Sequence, residues 1–325
     1  MSIEATRKNR RTAPGRSAGD GPSRKSRKRK GVTERNRPLW LLAPGGLLMT
    51  LVILIPLALG IYMSVIDLDQ YTLRKWLSTP FIGVENFIEA ITKTELLRAI
   101  WISVSFAIIS TVVTVPLGVA AAVVTQNAYR GRAVVRAVFL IPYVLPSFVV
   151  ATVWKTMLQP DGIVNTVLHN VGIEGGLWLN GPQSYWTLIL VEIWAAWPFI
   201  YLLALAGLQS VDHEVHEAAA LDGALWWRKL RYVIFPYLKG PVSLAFLLGT
   251  LNHINNFTLP FVLFGAPAPA DVNVLPILVY VTSFQSFRFG LSAAMAVVSL
   301  ILILIPLFIY LRAVKLDVHE DGVKK

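Results

Sequence analysis

Residues 99–129 read AIWISVSFAIISTVVTVPLGVAAAVVTQNAY, thirty-one positions without a charged side chain. About 20 apolar helical residues cross the hydrocarbon core of a bilayer, and only a helix or a closed barrel satisfies its own backbone there. The run lacks the apolar–polar alternation of a barrel strand, so it is read as a membrane-spanning helix. Outward from it, five more apolar segments follow the same pattern: 39–66, 137–154, one within 175–209, 240–265 and 289–311. The fourth carries a single acid, Glu192, and the third is only just long enough to cross. Over all 325 residues, 55% are hydrophobic and 15% charged, against about 25% charged in soluble domains. The expectation is an all-α, polytopic membrane bundle of six transmembrane helices.

Orientation follows the positive charge, because short loops rich in Lys and Arg stay cytoplasmic. With the N-terminus inside, 24 of the 30 Lys and Arg lie on the cytoplasmic side and six outside. Both termini are therefore expected in the cytoplasm. Residues 1–38 hold thirteen basic and three acidic side chains, +10 of the formal +11, so the basic charge is one tail and not a face of a folded domain. That pattern argues against nucleic-acid binding and for adhesion to anionic lipid headgroups. The tail has few apolar residues and is expected to be disordered. The first apolar run is too long for a signal-peptide core and is read as a retained anchor. The expected organisation is a basic tail over 1–38, a transmembrane domain over 39–315 and a C-terminal cytoplasmic tail over 316–325. The chain has no cysteine, which excludes disulfides, thiolate metal sites and cysteine nucleophiles.

Prolines punctuate the helices at Pro44, Pro56, Pro116, Pro142, Pro146, Pro198, Pro260 and Pro306. Each removes a backbone donor and tends to kink a helix, which suits a gated path and an ordinary bundle alike. Between the fourth and fifth segments, within 211–239, the sequence reads as helix, turn, helix. Glu217 opens an Ala-rich turn where a carboxylate favours the helix dipole, and Gly223 supplies a left-handed stop. A second helix then runs from Leu225 to Ile234, and Pro236 is expected to terminate it. Trp226 and Trp227 also fit the headgroup level of an interfacial helix.

Glu217-Ala218-Ala219, then Gly223, then Ile234-Phe235-Pro236 resembles the EAA loop of the integral membrane permeases of binding-protein-dependent ABC importers. The resemblance implies that this loop contains the coupling helix that docks in a cleft of the ATPase subunit, with Glu217, Ala218, Ala219, Asp222, Gly223, Ile234 and Pro236 as matching positions. Phe235 stands where the family commonly has Leu and conserves bulk. Phe81-Ile82-Gly83-Val84-Glu85-Asn86-Phe87, Leu140-Ile141-Pro142, Glu192-Ile193-Trp194, Trp197-Pro198-Phe199 and Leu205-Ala206-Gly207-Leu208 are similar to the carbohydrate branch, among the larger maltose-type and glycerol-phosphate-type subunits. What the resemblance implies is a multi-pass subunit of a bacterial plasma (inner) membrane importer that moves a carbohydrate by alternating access. Its partners would be two ATP-binding subunits, a second and related permease subunit, an extracytoplasmic solute-binding protein and membrane lipid. ATP and Mg would be bound by the partner ATPase, and this chain would carry no cofactor.

A polar side chain inside lipid is costly, so each is a functional candidate until paired. Asn252, Asn255 and Asn256 are expected on one face of the fifth helix by the i, i+3, i+4 rule. Amides both donate and accept, which suits sugar hydroxyls and a solute path, and suits helix–helix hydrogen bonds equally. Glu192 reads as a carboxylate capped by neighbouring donors and His253 as a hydrogen-bonded core residue. His213 and His216 read as a solvated face, since a metal site needs three or four convergent ligands. No Gly-x-x-x-x-Gly-Lys-Ser/Thr, Gly-x-Ser-x-Gly or His-Glu-x-x-His occurs, so neither nucleotide hydrolysis nor those enzyme chemistries is expected of this chain. The alternative from another class is an ion-coupled secondary carrier acting alone, with Glu192 as its proton site. Such carriers are usually built from two pseudo-symmetric halves, for which six helices in one chain do not suffice.

Overall fold

The computed structural model describes residues 37–211, 214, 215, 221, 225 and 228–323. Glu217, Ala218, Ala219, Asp222 and Gly223 of the expected coupling segment, together with His213, His216, Trp226 and Trp227, lie outside the described residues, as does the basic tail over 1–36. Residues up to Ile55 form one compact unit and residues from Pro56 onward another. The first contains α1 (Arg37–Met49) and a π-helical turn, Thr50–Leu54, in which the Thr50 hydroxyl donates to the Gly46 carbonyl at 2.8 Å. Pro44–Met63 is long and apolar enough to cross a membrane.

The second unit is nearly all helix. After α2 (Ile55–Met63), whose first residue closes the first unit, its helices are α3 (Glu85–Lys93), α4 (Leu96–Thr125), α5 (Arg132–Val144), α6 (Ser147–Met157), α7 (Ile163–Asn170), α8 (Ser184–Gln209), α9 (Phe235–Ile254), α10 (Thr258–Phe264), α11 (Leu275–Phe284) and α12 (Phe289–Val323). Among the described residues the β pairing is confined to one isolated bridge, Ile66 with Phe81. Pro44–Met63, α4, α8 and the first 25 residues of α12 are each long and apolar enough to cross a membrane.

The third apolar segment is not one helix. Its α5 and α6 meet at a 92° bend. Pro146 crowds the residue before it out of the helical region, and Leu145 accordingly sits at φ −74°, ψ 135°. Pro142, by contrast, is accommodated inside α5. The fifth segment is also divided, since α9 stops at Ile254 and α10 starts at Thr258. The Asn256 Oδ1 accepts the Leu259 N–H at 3.3 Å, so an asparagine side chain takes over a backbone role where the helix gives way. Asn255 and Asn256 are therefore past the end of α9, and the expected shared helical face with Asn252 does not exist.

Pro236 also differs from expectation, because it stands in the first turn of α9 and does not terminate a helix. Immediately before it, Lys229–Ile234 winds as a π-helix, and the Phe235 N–H donates to the Leu230 carbonyl five residues back. The wider turn makes room for a proline ring that would otherwise press on the carbonyl four residues behind it.

α4 is the central post, with α8, α9 and α11 packed on it. Close approach depends on small residues, as is usual between helices in lipid. A Cβ on Gly118 of α4 would lie 2.7 Å from the Ile200 Cβ and 2.8 Å from the Tyr201 backbone nitrogen on α8. Gly207 on α8 likewise leaves space for Pro241 on α9. Short polar pegs cross the same interfaces: Thr111 to Thr250 at 3.3 Å, the Thr125 hydroxyl donating to the Tyr201 oxygen at 3.1 Å, and the Tyr185 hydroxyl donating to Ser105 at 2.7 Å.

The segment between α2 and α4 is ordered by its motif. Gly83 adopts φ 62°, the Ile82 and Gly83 N–H groups donate to the Val65 carbonyl, and buried Asn86 donates to the Ser64 and Ile66 carbonyls at 3.0 and 2.9 Å. α3 is then tied to the start of α12 by a two-pronged ion pair, Arg288 Nη1 and Nη2 to Glu89 Oε1 and Oε2 at 2.5 and 2.9 Å. The Arg288 hydrogen bond holds the Glu89 carboxyl below its ordinary value of 4.5. A lowered carboxylate value means that the pair's contribution is complete above about pH 4.5 and is lost as pH falls through the folded-state value. Glu89→Gln is therefore expected to lower the thermal midpoint of the detergent-solubilised chain at pH 7. The gap from the native chain should close on acidification below pH 4, a trend followed by intrinsic tryptophan fluorescence.

Candidate functional site

The bundle is broken where two apolar segments are broken. The α5–α6 bend and the α9–α10 gap face a cavity of about 570 Å³, walled on a third side by the middle of α8. Non-helical backbone at membrane depth is tolerated where it lines such a space or is buried in protein. The wall mixes apolar and aromatic groups with a small polar set: Glu192, Asn252, His253, Asn255, Asn256, Ser147 and Thr258. Tyr143 and Phe199 stack on one side of it, with ring centroids 5.9 Å apart and planes 27° off parallel.

At its centre is a hydrogen-bonded triad. Glu192 on α8 is 5% exposed and His253, in the last turn of α9, 2% exposed. His253 Nδ1 and Glu192 Oε1 are 2.7 Å apart, and Asn256 Nδ2 donates to Glu192 Oε2 at 2.6 Å. Asn256 serves two masters, since its amide nitrogen holds the carboxylate and its oxygen caps the start of α10. The break in the fifth apolar segment and the only acid in the fourth are thereby one feature. His253 Nε2, on the other side of the ring, is buried and finds no partner among the described residues.

A second space of about 380 Å³ shares Asn255 and Phe257 with the first. Its wall carries Tyr280 and Phe284 from α11, and Phe257, Phe261, Tyr280 and Phe284 form a continuous aromatic run with centroids 4.8 to 5.3 Å apart. Amide, imidazole and carboxylate groups beside aromatic faces can hold a polyhydroxylated molecule by hydrogen bonding and stacking. Among the described residues no group of three or more His, Asp or Glu could hold a metal ion.

The sequence expectations fare unevenly here. Asn252, Asn255 and Asn256 all line the larger space, brought together by the end of α9 and the turn after it. Glu192 is capped by an amide donor, but its second partner is His253, which sequence reasoning kept apart from it. A usable signal was present: two buried polar groups on neighbouring apolar helices have few partners but each other. Of the expected coupling positions, Ile234 is 2% exposed in a buried cluster with Tyr201, Ala204, Leu205, Leu208 and Leu238, and Pro236 is exposed at the start of α9. The aromatic run from Phe257 to Phe284 was not anticipated, because its members are spread over nearly thirty residues and two helices.

Known proteins are similar to this chain in sequence and fold. Residues 114–315, from the middle of α4 into α12, match the family described as "Binding-protein-dependent transport system inner membrane component". The trehalose/maltose transport system permease protein of Thermococcus litoralis is 28% identical over 235 residues, 72% of this chain and 79% of that protein. The sulfoquinovosyl glycerol transport system permease protein of Agrobacterium fabrum is 27% identical over 277 residues, 85% of this chain and 89% of that protein. A crystal structure of a bacterial ABC transporter involved in the import of the acidic polysaccharide alginate is similar in fold, with a TM-score of 0.72 at 20% identity, covering 86% of this chain and 96% of that one.

Removing one member of a buried pair leaves the other polar and unsatisfied, whereas removing both need not. His253→Leu and Glu192→Leu are each expected to destabilise the chain by about 3–5 kcal/mol. The double variant should lie closer to the native chain than the sum of the two singles. Thermal midpoints of the four proteins in one detergent measure that coupling directly.

Proposed function

The chain belongs to the binding-protein-dependent transport system inner membrane component family, and on that premise we propose that it is one permease subunit of an ATP-driven importer for a carbohydrate. It is a permease and not an enzyme. The carbohydrate reading is supported by the relatives, one named for trehalose and maltose and another for sulfoquinovosyl glycerol, and by a cavity whose amides and aromatic rings suit sugar oxygens and sugar faces. That cavity, opened where two spans break at one level, is the observation that carries the proposal. Asn252, Asn255 and Asn256 line the solute path. Family membership weighs against an ion-coupled carrier acting alone.

In this reading the chain crosses a bacterial inner membrane six times, as Pro44–Met63, α4, the bent α5–α6 pair, α8, the divided α9–α10 pair and α12, with both termini cytoplasmic. The tail over 1–38 adheres to anionic lipid, the transmembrane domain spans 39–315, and 316–325 is a cytoplasmic extension. Glu217, Ala218, Ala219, Asp222 and Gly223 form the coupling helix that docks on an ATP-binding subunit, with Ile234 and Pro236 fixing its return into α9. Two such subunits bind ATP and Mg, a related permease completes the path, and an extracytoplasmic binding protein delivers the solute. Buried Ile234, packed on the cytoplasmic end of α8, supports this reading by anchoring the loop's far end to the bundle.

Affinity purification of the chain from its native membrane in mild detergent is expected to bring an ATPase and a second permease with it. The ATPase should drop out in a Glu217→Arg, Gly223→Pro double variant, and a chain that emerges alone in both cases overturns the proposal. For the path, Asn252→Ala, Asn255→Ala and Asn256→Ala should each raise the half-saturation concentration several-fold for uptake of the sugar that copurifies with the binding protein. Unchanged half-saturation and rate in all three would remove them from the path.

A further inference from the structure

We propose that the end of the bundle where α4 turns into α5 is a binding site for the headgroup of an anionic phospholipid, whose acyl chains lie along the outer face of α5. The inference rests on the membrane-crossing part of the reading above and is independent of the solute and of the cavity. Two stretches far apart in sequence supply the charge. Arg130, Arg132 and Arg136 flank the α4–α5 turn. Arg228, Lys229, Arg231 and Lys239 flank the π turn that leads into α9. Neither 126–140 nor 228–240 contains an acid, and Glu214 is the nearest described acid in sequence.

The fold brings the two stretches to one end of the bundle. Phe139 and Leu140 of α5 and Leu230 and Ile234 of the π turn pack in one cluster with Ala122 and Val123, near the end of α4. Cations gathered without acids repel one another, and a bound anion offsets that repulsion. Two of them are also held in place. Arg136 Nη2 donates to the Thr125 carbonyl at 2.7 Å and Arg132 Nη1 to the Gln126 carbonyl at 3.2 Å, so both guanidinium groups are fixed on the carbonyls that end α4. Each spends one donor there and keeps others of its planar fork, the geometry that meets phosphate oxygens in pairs. A guanidinium already held loses less freedom on binding than one on a free tail.

What lies beside the cations decides between a lipid and a soluble anion. Val134, Val138 and Ile141 are exposed and recur at i, i+4 and i+7, one apolar stripe down α5. The stripe begins in the first turn of α5, where the arginines are. Tyr129 and Tyr232, each next to one of the cations in sequence, are also exposed, and amphipathic rings of this kind sit at headgroup level. A phosphate beside the arginines with an acyl chain down the stripe fills both parts of this surface, whereas a free phosphate leaves the apolar part uncovered.

The test uses the full-length chain in nanodiscs of equal phosphatidylglycerol and phosphatidylcholine, released into mild detergent, with the lipids retained by each chain counted by native mass spectrometry. Phosphatidylglycerol is expected to outnumber phosphatidylcholine several-fold. Arg130→Gln, Lys229→Gln and Arg231→Gln together should bring the ratio near one, with Arg132 and Arg136 left in place to cap α4. Arg312→Gln, Lys315→Gln and Lys324→Gln together remove the same charge elsewhere and should leave the native ratio, and the basic tail over 1–38 is the same in all three proteins. An even ratio in the native chain overturns the proposal whether or not the variants fold, and so does an equal loss in both variants, which is the mark of diffuse charge. Displacement of the lipid by a large excess of glycerol phosphate assigns the surface to a soluble anion, and its loss once the copurifying ATPase is bound assigns the surface to that protein; either result overturns the lipid site. A chain that does not enter nanodiscs at all overturns the membrane-crossing reading itself, which keeps that failure apart from the others.

Discussion

In hydrocarbon there is no water to satisfy a polar group, so every break in a helix and every buried side chain must find its partner inside the protein. The triad of Glu192, His253 and Asn256 is where that constraint is met in this chain. Once α9 stops at Ile254, the N–H groups at the start of α10 need acceptors, and Asn256 provides one while its amide nitrogen goes to Glu192. Glu192 on α8 in turn needs hydrogen-bond partners, and the interrupted segment supplies both. Neither feature is tolerable alone. Together they make an interior space with polar walls where a continuous helix would have left only packed side chains.

The rest of the bundle is arranged to keep that space in place. α4 contacts α8 and α9 through residues chosen for closeness: Gly118 against the backbone at Tyr201, and paired threonines at 111 and 250. Dispersion at short range and a few interhelical hydrogen bonds hold such an interface, because lipid gives no hydrophobic advantage to burying one apolar face against another. At the opposite end of α4, Arg136 of α5 donates to the Thr125 carbonyl at 2.7 Å and so satisfies one of the carbonyls that the helix end leaves open. On the other side, Asn86 and the Glu89–Arg288 pair hold the segment before α4 against the start of α12, and the Gly290 N–H donates to the Leu68 carbonyl at 2.8 Å. A cap so tied leaves the middle of the bundle, and not its edges, as the place where structure is broken by design.

What the sequence made legible was composition and period. Charge-free runs announced the long helices, and α4 is where the run 99–129 puts it. The prolines announced irregularity but not its form: Pro146 bends a span by 92°, Pro142 sits quietly inside a helix, and Pro236 begins one after a π turn. The difference lies in whether neighbouring carbonyls can be re-satisfied, which is a property of packing. The three asparagines were recognisable as unusual, yet the helical rule that grouped them fails, since asparagine side chains compete for backbone groups and end the helix. Their convergence comes from the turn. Glu192 and His253, 61 positions apart, could be paired only by the approach of α8 to α9.

That approach also fixes how a cytoplasmic event would reach the cavity. α9 starts beside Ile234, at the return of the proposed coupling loop, and ends at His253 and Ile254. Twenty helical residues at 1.5 Å each span about 30 Å, so a single rod joins the two ends. Along its length it is keyed to α8, with Pro241 in the gap left by Gly207 and His253 bonded to Glu192. A rod so keyed transmits tilt better than sliding. The π turn at Lys229–Ile234 lies on the loop side of it, where the winding is widest and least regular. On the proposed coupling role, displacement of the loop would be divided between that turn and α9, which joins it to Asn256 and the start of α10. The far end of α9 is one of the two places where the wall of the cavity is not helix, the other being the α5–α6 bend.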